Sequence, residues 1–116
     1  GRYSQLEVNR GLPANLLAKY FRRDGLDWQI CDDLRQQLDV RQINLASRWV
    51  AMPPLDIVFL RNVLIYFDPP TKAAVVDRVL SQLRPGGLFF VGMAEGRVPC
   101  NTPLEPLGSG AFRKAA

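Results

Sequence analysis

Leu55, Ile57, Val58, Phe59 and Leu60 form an apolar run broken only by Asp56. Such a run predicts a β-strand covered on both faces within a parallel sheet. Arg61 and Asn62 end it with polar side chains. Open parallel sheets hold ligands just outside the carboxyl ends of their strands, which places the segment from Arg61 to Phe67 at a ligand-bearing rim. Asp68 is suited to accept from the first free N–H groups of a helix, and Pro69 to its first position, where a missing N–H costs nothing. Val75, Val76, Val79, Leu80 and Leu83 then recur at helical spacing, with Lys72, Asp77, Arg78 and Gln82 mostly on the other side. Pro85, Gly86 and Gly87 cannot continue that helix, and LFFVGM, Leu88 to Met93, predicts a second strand. A right-handed crossover sets the two strands side by side and parallel, so the fold class is α/β.

The amino-terminal half follows a different pattern. Leu12 and Pro13 open a short helix with an apolar stripe of Leu16, Leu17, Tyr20 and Phe21, and basic Lys19, Arg22 and Arg23 flank its carboxyl end. Asp24-Gly25 turns the chain into DWQIC, Asp27 to Cys31, a short strand. The polar stretch from Asp32 to Asp39 fits a helical turn or a hairpin partner, and the pattern does not choose between them. VRQINL, Val40 to Leu45, predicts another strand, ending in the pair Asn44-Leu45. No internal repeat or low-complexity tract interrupts this half.

Composition narrows the function classes. A chain of 116 residues makes one domain and buries somewhat over half of its unfolded surface. No apolar run approaches the ~20 residues needed to cross a bilayer, and GRYSQLEVNRG at the start has no signal-peptide core. No membrane insertion and a cytoplasmic location are therefore expected. The 15 Lys+Arg exceed the 11 Asp+Glu to give +4, a mild balance compatible with an acidic protein surface. These charges are dispersed without interleaved aromatics, so nucleic acid is not an expected partner. There is no histidine, which excludes imidazole-dependent triads and histidine-rich metal sites from this chain; no metal is expected. Cys31 and Cys100 are isolated and read as ordinary small residues.

Several blocks in order, YSQLEVNRGLP, LLAKYFRRDG, Asn44-Leu45, DIVFLRNVLIYFD, LRPGGLFFVGMAE and AFRK, resemble the carboxyl-terminal catalytic part of the chemotaxis receptor methyltransferases, the CheR family. The resemblance spans almost the whole chain. It implies a partial class I S-adenosylmethionine-dependent methyltransferase, or Rossmann-like, fold with an inserted small β-subdomain at about residues 20–43. Residues 44–116 would be the second half of the sheet, and the first two sheet strands would be lacking. It further implies methyl transfer from S-adenosylmethionine to glutamate side chains on chemotaxis receptors, leaving a methyl ester and S-adenosylhomocysteine. The expected partners are the cytoplasmic domains of methyl-accepting chemotaxis receptors. That chemistry needs no general base, because a glutamate is already ionised at neutral pH; the absence of histidine is no objection.

Carried over by position, Asn44 and Leu45 match a pair on the adenine side of the cofactor, and Leu60 and Arg61 match another cofactor-contacting pair. Arg61 and Tyr66 match the residues nearest the transferred methyl, where an arginine fork suits a carboxylate. Each has a plainer reading: Arg61 capping strand-end carbonyls, Asn62 holding a turn, Tyr66 packing with its hydroxyl in water. Leu60 stands where the family often has cysteine, and Ala94, before Glu95, where it often has serine.

The glycine loop and ribose-binding acid of such methyltransferases have no counterpart in these residues, nor has the family's amino-terminal helical domain. The chain is therefore expected to be part of a larger enzyme, inactive by itself and binding S-adenosylmethionine weakly or not at all. In the family's sheet, two strands separate the one ending at Leu45 from the one ending at Leu60. Without them the edge at Asp56 to Leu60 is open, which predicts either self-association or rearrangement of the first forty-five residues. The segment from about Tyr20 to Ile43 matches a subdomain that docks a receptor-tail peptide in some relatives, but its loop RRDGLDW is short, as in relatives that do not use the tether. The alternative to an enzyme portion is a non-catalytic receptor- or protein-binding module derived from the same fold.

Overall fold

The structure, a computed structural model, describes residues 1–49, 51–95 and 97–116. It divides into two compact units, Gly1–Gln42 and Ile43–Ala116. In the first, β1 (Arg2–Ser4) leads into the short helix α1 (Gln5–Val8), and α2 (Ala14–Tyr20) leads into β2 (Phe21–Asp24), β3 (Asp27–Ile30) and α3 (Asp32–Arg35). Ser4 caps α1 in a reciprocal pair with Glu7: the Ser4 hydroxyl accepts from the Glu7 N–H at 3.2 Å, and the Glu7 carboxylate accepts from the Ser4 N–H at 2.7 Å. The strands form an antiparallel sheet in the order β1-β3-β2. Gly25, with φ of 63°, makes the tight turn between β2 and β3. Phe21, expected at the end of a helix, begins β2 instead and meets Tyr3 edge-on at 5.7 Å. The open choice over Asp32 to Asp39 resolves as a helical turn, α3.

The second unit contains β4 (Leu55–Leu60), a 3-10 turn (Leu64–Tyr66), α4 (Pro69–Gln82), β5 (Leu83–Val91), a 3-10 turn (Met93–Glu95), β6 (Leu104–Gly108) and β7 (Ala111–Lys114). The sheet order is β4-β5-β7-β6; β4 and β5 run parallel, and β7 is antiparallel to both neighbours. As the periodicity predicts, α4 connects the parallel pair and buries Val75, Val76, Val79 and Leu80. These join Leu60, Leu64, Leu83, Phe89 and Val91 in one cluster. Full burial of such a side chain is worth about 1.5–3 kcal/mol, so the unit is held together mainly on this face.

The opposite face of β4 is open, contrary to the expectation of a strand covered on both sides. Ile57 is 50% and Phe59 70% exposed, and Phe59 stacks on Phe90 at 4.9 Å without further cover. Along its length β4 is hydrogen-bonded to β5 and to no other strand among the described residues. An apolar run marks a strand whose two faces both suit burial, and it does not say which segment supplies the covering layer.

The Pro85-Gly86-Gly87 break works differently from a simple helix stop. Leu55 pairs with Leu83, and the ladder resumes at Ile57 opposite Leu88, so residues 84–87 bulge out of register. Gly86 has φ of 79°, and a Cβ on Gly87 would stand 2.5 Å from Leu83 Cδ1 and 2.9 Å from the Arg84 carbonyl. β5 therefore reaches back to Leu83 and ends at Val91, two residues short of the predicted Met93. Lys114 closes the other end of α4, its Nζ donating to the Leu80 and Leu83 carbonyls at 2.6 and 2.7 Å.

The strand predicted at Val40–Leu45 is absent: residues 40–44 are irregular and Leu45 lies in a turn. Asn44 Oδ1 accepts from the Ala46 N–H at 3.1 Å, closing a local turn that competes with an extended ladder. The Leu45 carbonyl accepts from Arg78 Nη1 at 2.8 Å and Trp49 Nε1 at 3.3 Å rather than from a neighbouring strand. Arg78, assigned to the polar side of α4, thus anchors this segment and lies 5.7 Å from the Trp49 ring centroid.

Asp68 caps α4 as the sequence predicts, accepting from the Thr71 N–H at 2.9 Å. Hydrogen bonds from the Thr71 side chain and backbone hold its carboxyl below the usual carboxylate range. A carboxyl lowered on folding stabilises the folded chain above its ordinary pKa and loses that contribution as pH falls through the lowered value. Asn at position 68 caps without titrating. The stability difference between wild type and Asp68→Asn, from urea midpoints at a series of pH values, is therefore expected to be small, because the group is exposed, and to shrink in acid. A difference constant across that range would contradict the charged cap.

Candidate functional site at the carboxyl end of β4

Leu60, the last residue of β4, is buried in the α4 cluster, and the chain leaves it through exposed Arg61 and Asn62. Asn62 has φ of 61°, a left-handed conformation rare for a residue with a side chain but tolerated by asparagine. The turn presses against the end of β5. A Cβ on Gly92 would lie 2.5 Å from Asn62 Oδ1 and 3.2 Å from the Asn62 nitrogen, so this approach requires glycine. The 3-10 turn then follows, with the Tyr66 N–H donating to the Val63 carbonyl at 3.2 Å. Leu64 is its buried anchor, while Ile65 and Tyr66 project outward, Tyr66 being 80% exposed.

Glu95, only 8% exposed, reaches into this junction. Its Oε1 accepts from the Val63 N–H at 2.9 Å, and its Oε2 accepts from the Gly92 N–H at 3.4 Å. The carboxylate therefore ties the segment after β4 to the segment after β5. Sequence patterning gives no such role to Glu95 or Gly92, because they meet Val63 and Asn62 across about thirty residues, and it places Arg78 only on the polar side of a helix; the clue available was an acidic residue shortly after a continuous apolar strand.

Arg61, Asn62 and Tyr66 are all exposed on the segment that follows β4. Leu45 and Leu60 pack in the same hydrophobic cluster, but among the described residues no hydrogen bond joins Asn44-Leu45 to the segment from Leu60 to Tyr66. Arg61 forms no ion pair among the described residues, and the Asn44 side-chain nitrogen donates to none of them. Among the described residues, the segment after β4 thus offers a free guanidinium at Arg61 and an exposed phenol at Tyr66, and Asn44 offers a free amide on a separate segment. Donors of these kinds suit an anion or a polar ring edge, and among the described residues no general base stands beside them.

A separate cleft of about 500 Å³ lies beside α4, lined among others by Lys72, Asp77, Arg97, Val98, Cys100 and Asn101. None of the rim residues lines it. The Asp77 carboxylate is engaged there by the Asn101 backbone and side-chain N–H groups at 3.0 and 3.1 Å. Burial, with Asp77 nearby, pushes the Cys100 thiol up, which disfavours the reactive thiolate.

The profile of the family described as CheR methyltransferase, SAM binding domain, matches residues 1–109. Chemotaxis protein methyltransferase 2 of Pseudomonas aeruginosa PAO1 is 36% identical over 115 residues, covering 95% of this chain and 41% of that protein. Chemotaxis protein methyltransferase Cher2 of Pseudomonas putida KT2440 is 38% identical over 96 residues, 82% of this chain and 35% of its own length. Chemotaxis protein methyltransferase 2 of Vibrio cholerae is 40% identical over 90 residues, 74% of this chain and 31% of its own. The chain thus belongs to the CheR methyltransferase family. It spans about two fifths or less of the length of these relatives. Among the described residues, no helix is long and apolar enough to cross a membrane.

Proposed function

We propose that these residues are the carboxyl-terminal portion of a cytoplasmic protein-glutamate O-methyltransferase acting on the cytoplasmic domains of chemotaxis receptors. The carrying observation is Arg61, an exposed guanidinium without an ion pair among the described residues, one position beyond the buried end of β4 in a chain of this family. S-adenosylmethionine, when bound, supplies an electrophilic methyl group and its own leaving group. A receptor glutamate would arrive already ionised, so no residue of this chain would need to take a proton from it. What this chain must contribute is alignment and charge recognition. The Arg61 fork receives the carboxylate and Tyr66 guides its approach from the same segment.

The cofactor fits these residues in part. Arg61 and the Asn44 side-chain amide are free to donate, and Leu60 fixes the strand end. Leu45 meets the cofactor through groups other than its carbonyl, which Arg78 and Trp49 already occupy. The glycine loop and ribose-binding acid are expected from sequence upstream of this chain. In this reading β2 and β3, within residues 20–43, belong to the inserted β-subdomain, and β1 (Arg2–Ser4) pairs with β3 from outside that span. The open edge of β4 and the exposed Ile57 and Phe59 take strands and cover from the upstream half, and in the 116-residue chain by itself they pair with a second copy.

In the protein carrying its upstream half, Arg61→Ala is expected to lower kcat for receptor methylation by about 100-fold or more without changing the thermal midpoint. Unchanged turnover would remove Arg61 from the site. Calorimetry on the 116-residue chain is expected to give a Kd for S-adenosylmethionine above roughly 0.1 mM; tight one-to-one binding would show that the upstream groups are dispensable. Light scattering of the same chain is expected to report a mass that rises with concentration, whereas a folded monomer throughout would contradict pairing through β4.

A further inference from the structure

We infer that Glu95 is a positioning residue, which sets Arg61 and Tyr66 in place through the backbone without touching substrate. Its consequence for turnover rests on the methyltransferase reading above; the geometry does not. Glu95 is the one buried charged residue among those described, and no Lys or Arg among them pairs with it. A carboxylate is tolerated in such a place when N–H donors point at it, and here each oxygen receives one. The two donors, Val63 and Gly92, belong to different segments of the fold. The Glu95 N–H returns to the Gly92 carbonyl at 3.1 Å, so the carboxylate is aimed by its own 3-10 turn.

The ties fall where the rim needs them. Val63 follows the left-handed Asn62, and Gly92 is the residue whose missing Cβ lets Asn62 approach. Residues 62, 63 and 64 are thereby fixed by close packing, a charge-assisted hydrogen bond and burial in turn. Arg61 stands immediately before this fixed stretch and Tyr66 shortly after it. Side chains that must meet a substrate within a fraction of an ångström need their backbone over-determined in this way.

A glutamine at position 95 separates positioning from packing. It matches glutamate in shape but offers one acceptor oxygen, and its NH₂ would face an N–H donor. In the isotope-labelled 116-residue chain, Glu95→Gln is expected to speed amide hydrogen exchange at Val63 or Gly92 by about tenfold or more, leaving the core amides of Phe89 and Val91 unchanged. Glu95→Ala is expected to do so at both. In the protein carrying its upstream half, Glu95→Gln is expected to lower kcat by about 100-fold with little change in KM for S-adenosylmethionine. Adding Glu95→Gln to Arg61→Ala should slow turnover by clearly less than Glu95→Gln does in the wild-type background, since the part of its effect that runs through Arg61 is already lost. Wild-type exchange, wild-type kcat or additive losses in the Glu95→Gln protein would each overturn the assignment. If the extended wild-type protein transfers no methyl group, the methyltransferase reading fails, and the exchange measurement still decides whether Glu95 holds the rim.

Discussion

Burial of α4 against one face of the β4–β5 pair is the constraint on which the second unit depends. It fixes where β4 ends, because Leu60 is the last strand residue that the cluster can take in. It fixes where the chain may turn, because Leu64 must return to the same cluster four residues later. Between those two buried leucines lie Arg61, Asn62 and Val63, too few residues for a wandering loop. The left-handed Asn62 and the N–H of Val63 directed to Glu95 follow from that short span. The exposed donors of the rim are thus a by-product of packing beneath them.

Local signals in the sequence carried far. The extent of β4, the Asp68 cap with Pro69 behind it, the buried stripe of α4 and the turn at Gly25 all depend on neighbours within a few residues, and all are found where the pattern puts them, although the strand before that turn, β2, reads in sequence as the end of a helix. What was illegible depends on partners that a hydrophobic pattern does not name, whether a nearby side chain closing a turn or a distant one. The stretch from Val40 to Leu45 has strand-like composition, yet Arg78 and Trp49 claim the Leu45 carbonyl and Asn44 closes a turn on itself. Ile57 and Phe59 look like core residues and are exposed, since nothing in an apolar run states which layer covers it.

The rim shows the same division. Arg61 and Tyr66 stand out in the sequence from the end of a strand and from a family block, whereas Glu95 and Gly92, which meet Val63 and Asn62 between them, act from beyond the end of the next strand. The Pro85-Gly86-Gly87 and AFRK blocks, useful as family marks, have structural tasks of their own: the first releases a bulge from the β4–β5 ladder, and the second supplies Lys114 to the end of α4. A chemistry that needs alignment more than proton transfer suits a site whose distinguishing property is a fixed backbone carrying free donors.

The most direct measurement is amide chemical-shift mapping as S-adenosylhomocysteine is titrated into the isotope-labelled protein that carries its upstream half. If the end of β4 is the cofactor rim, the shifts concentrate at Asn44, Leu45 and the segment from Leu60 to Tyr66. Shifts centred on Lys72, Asp77, Arg97 and Asn101, with Arg61 unmoved, would place the ligand in the cleft beside α4 and contradict the assignment of the rim.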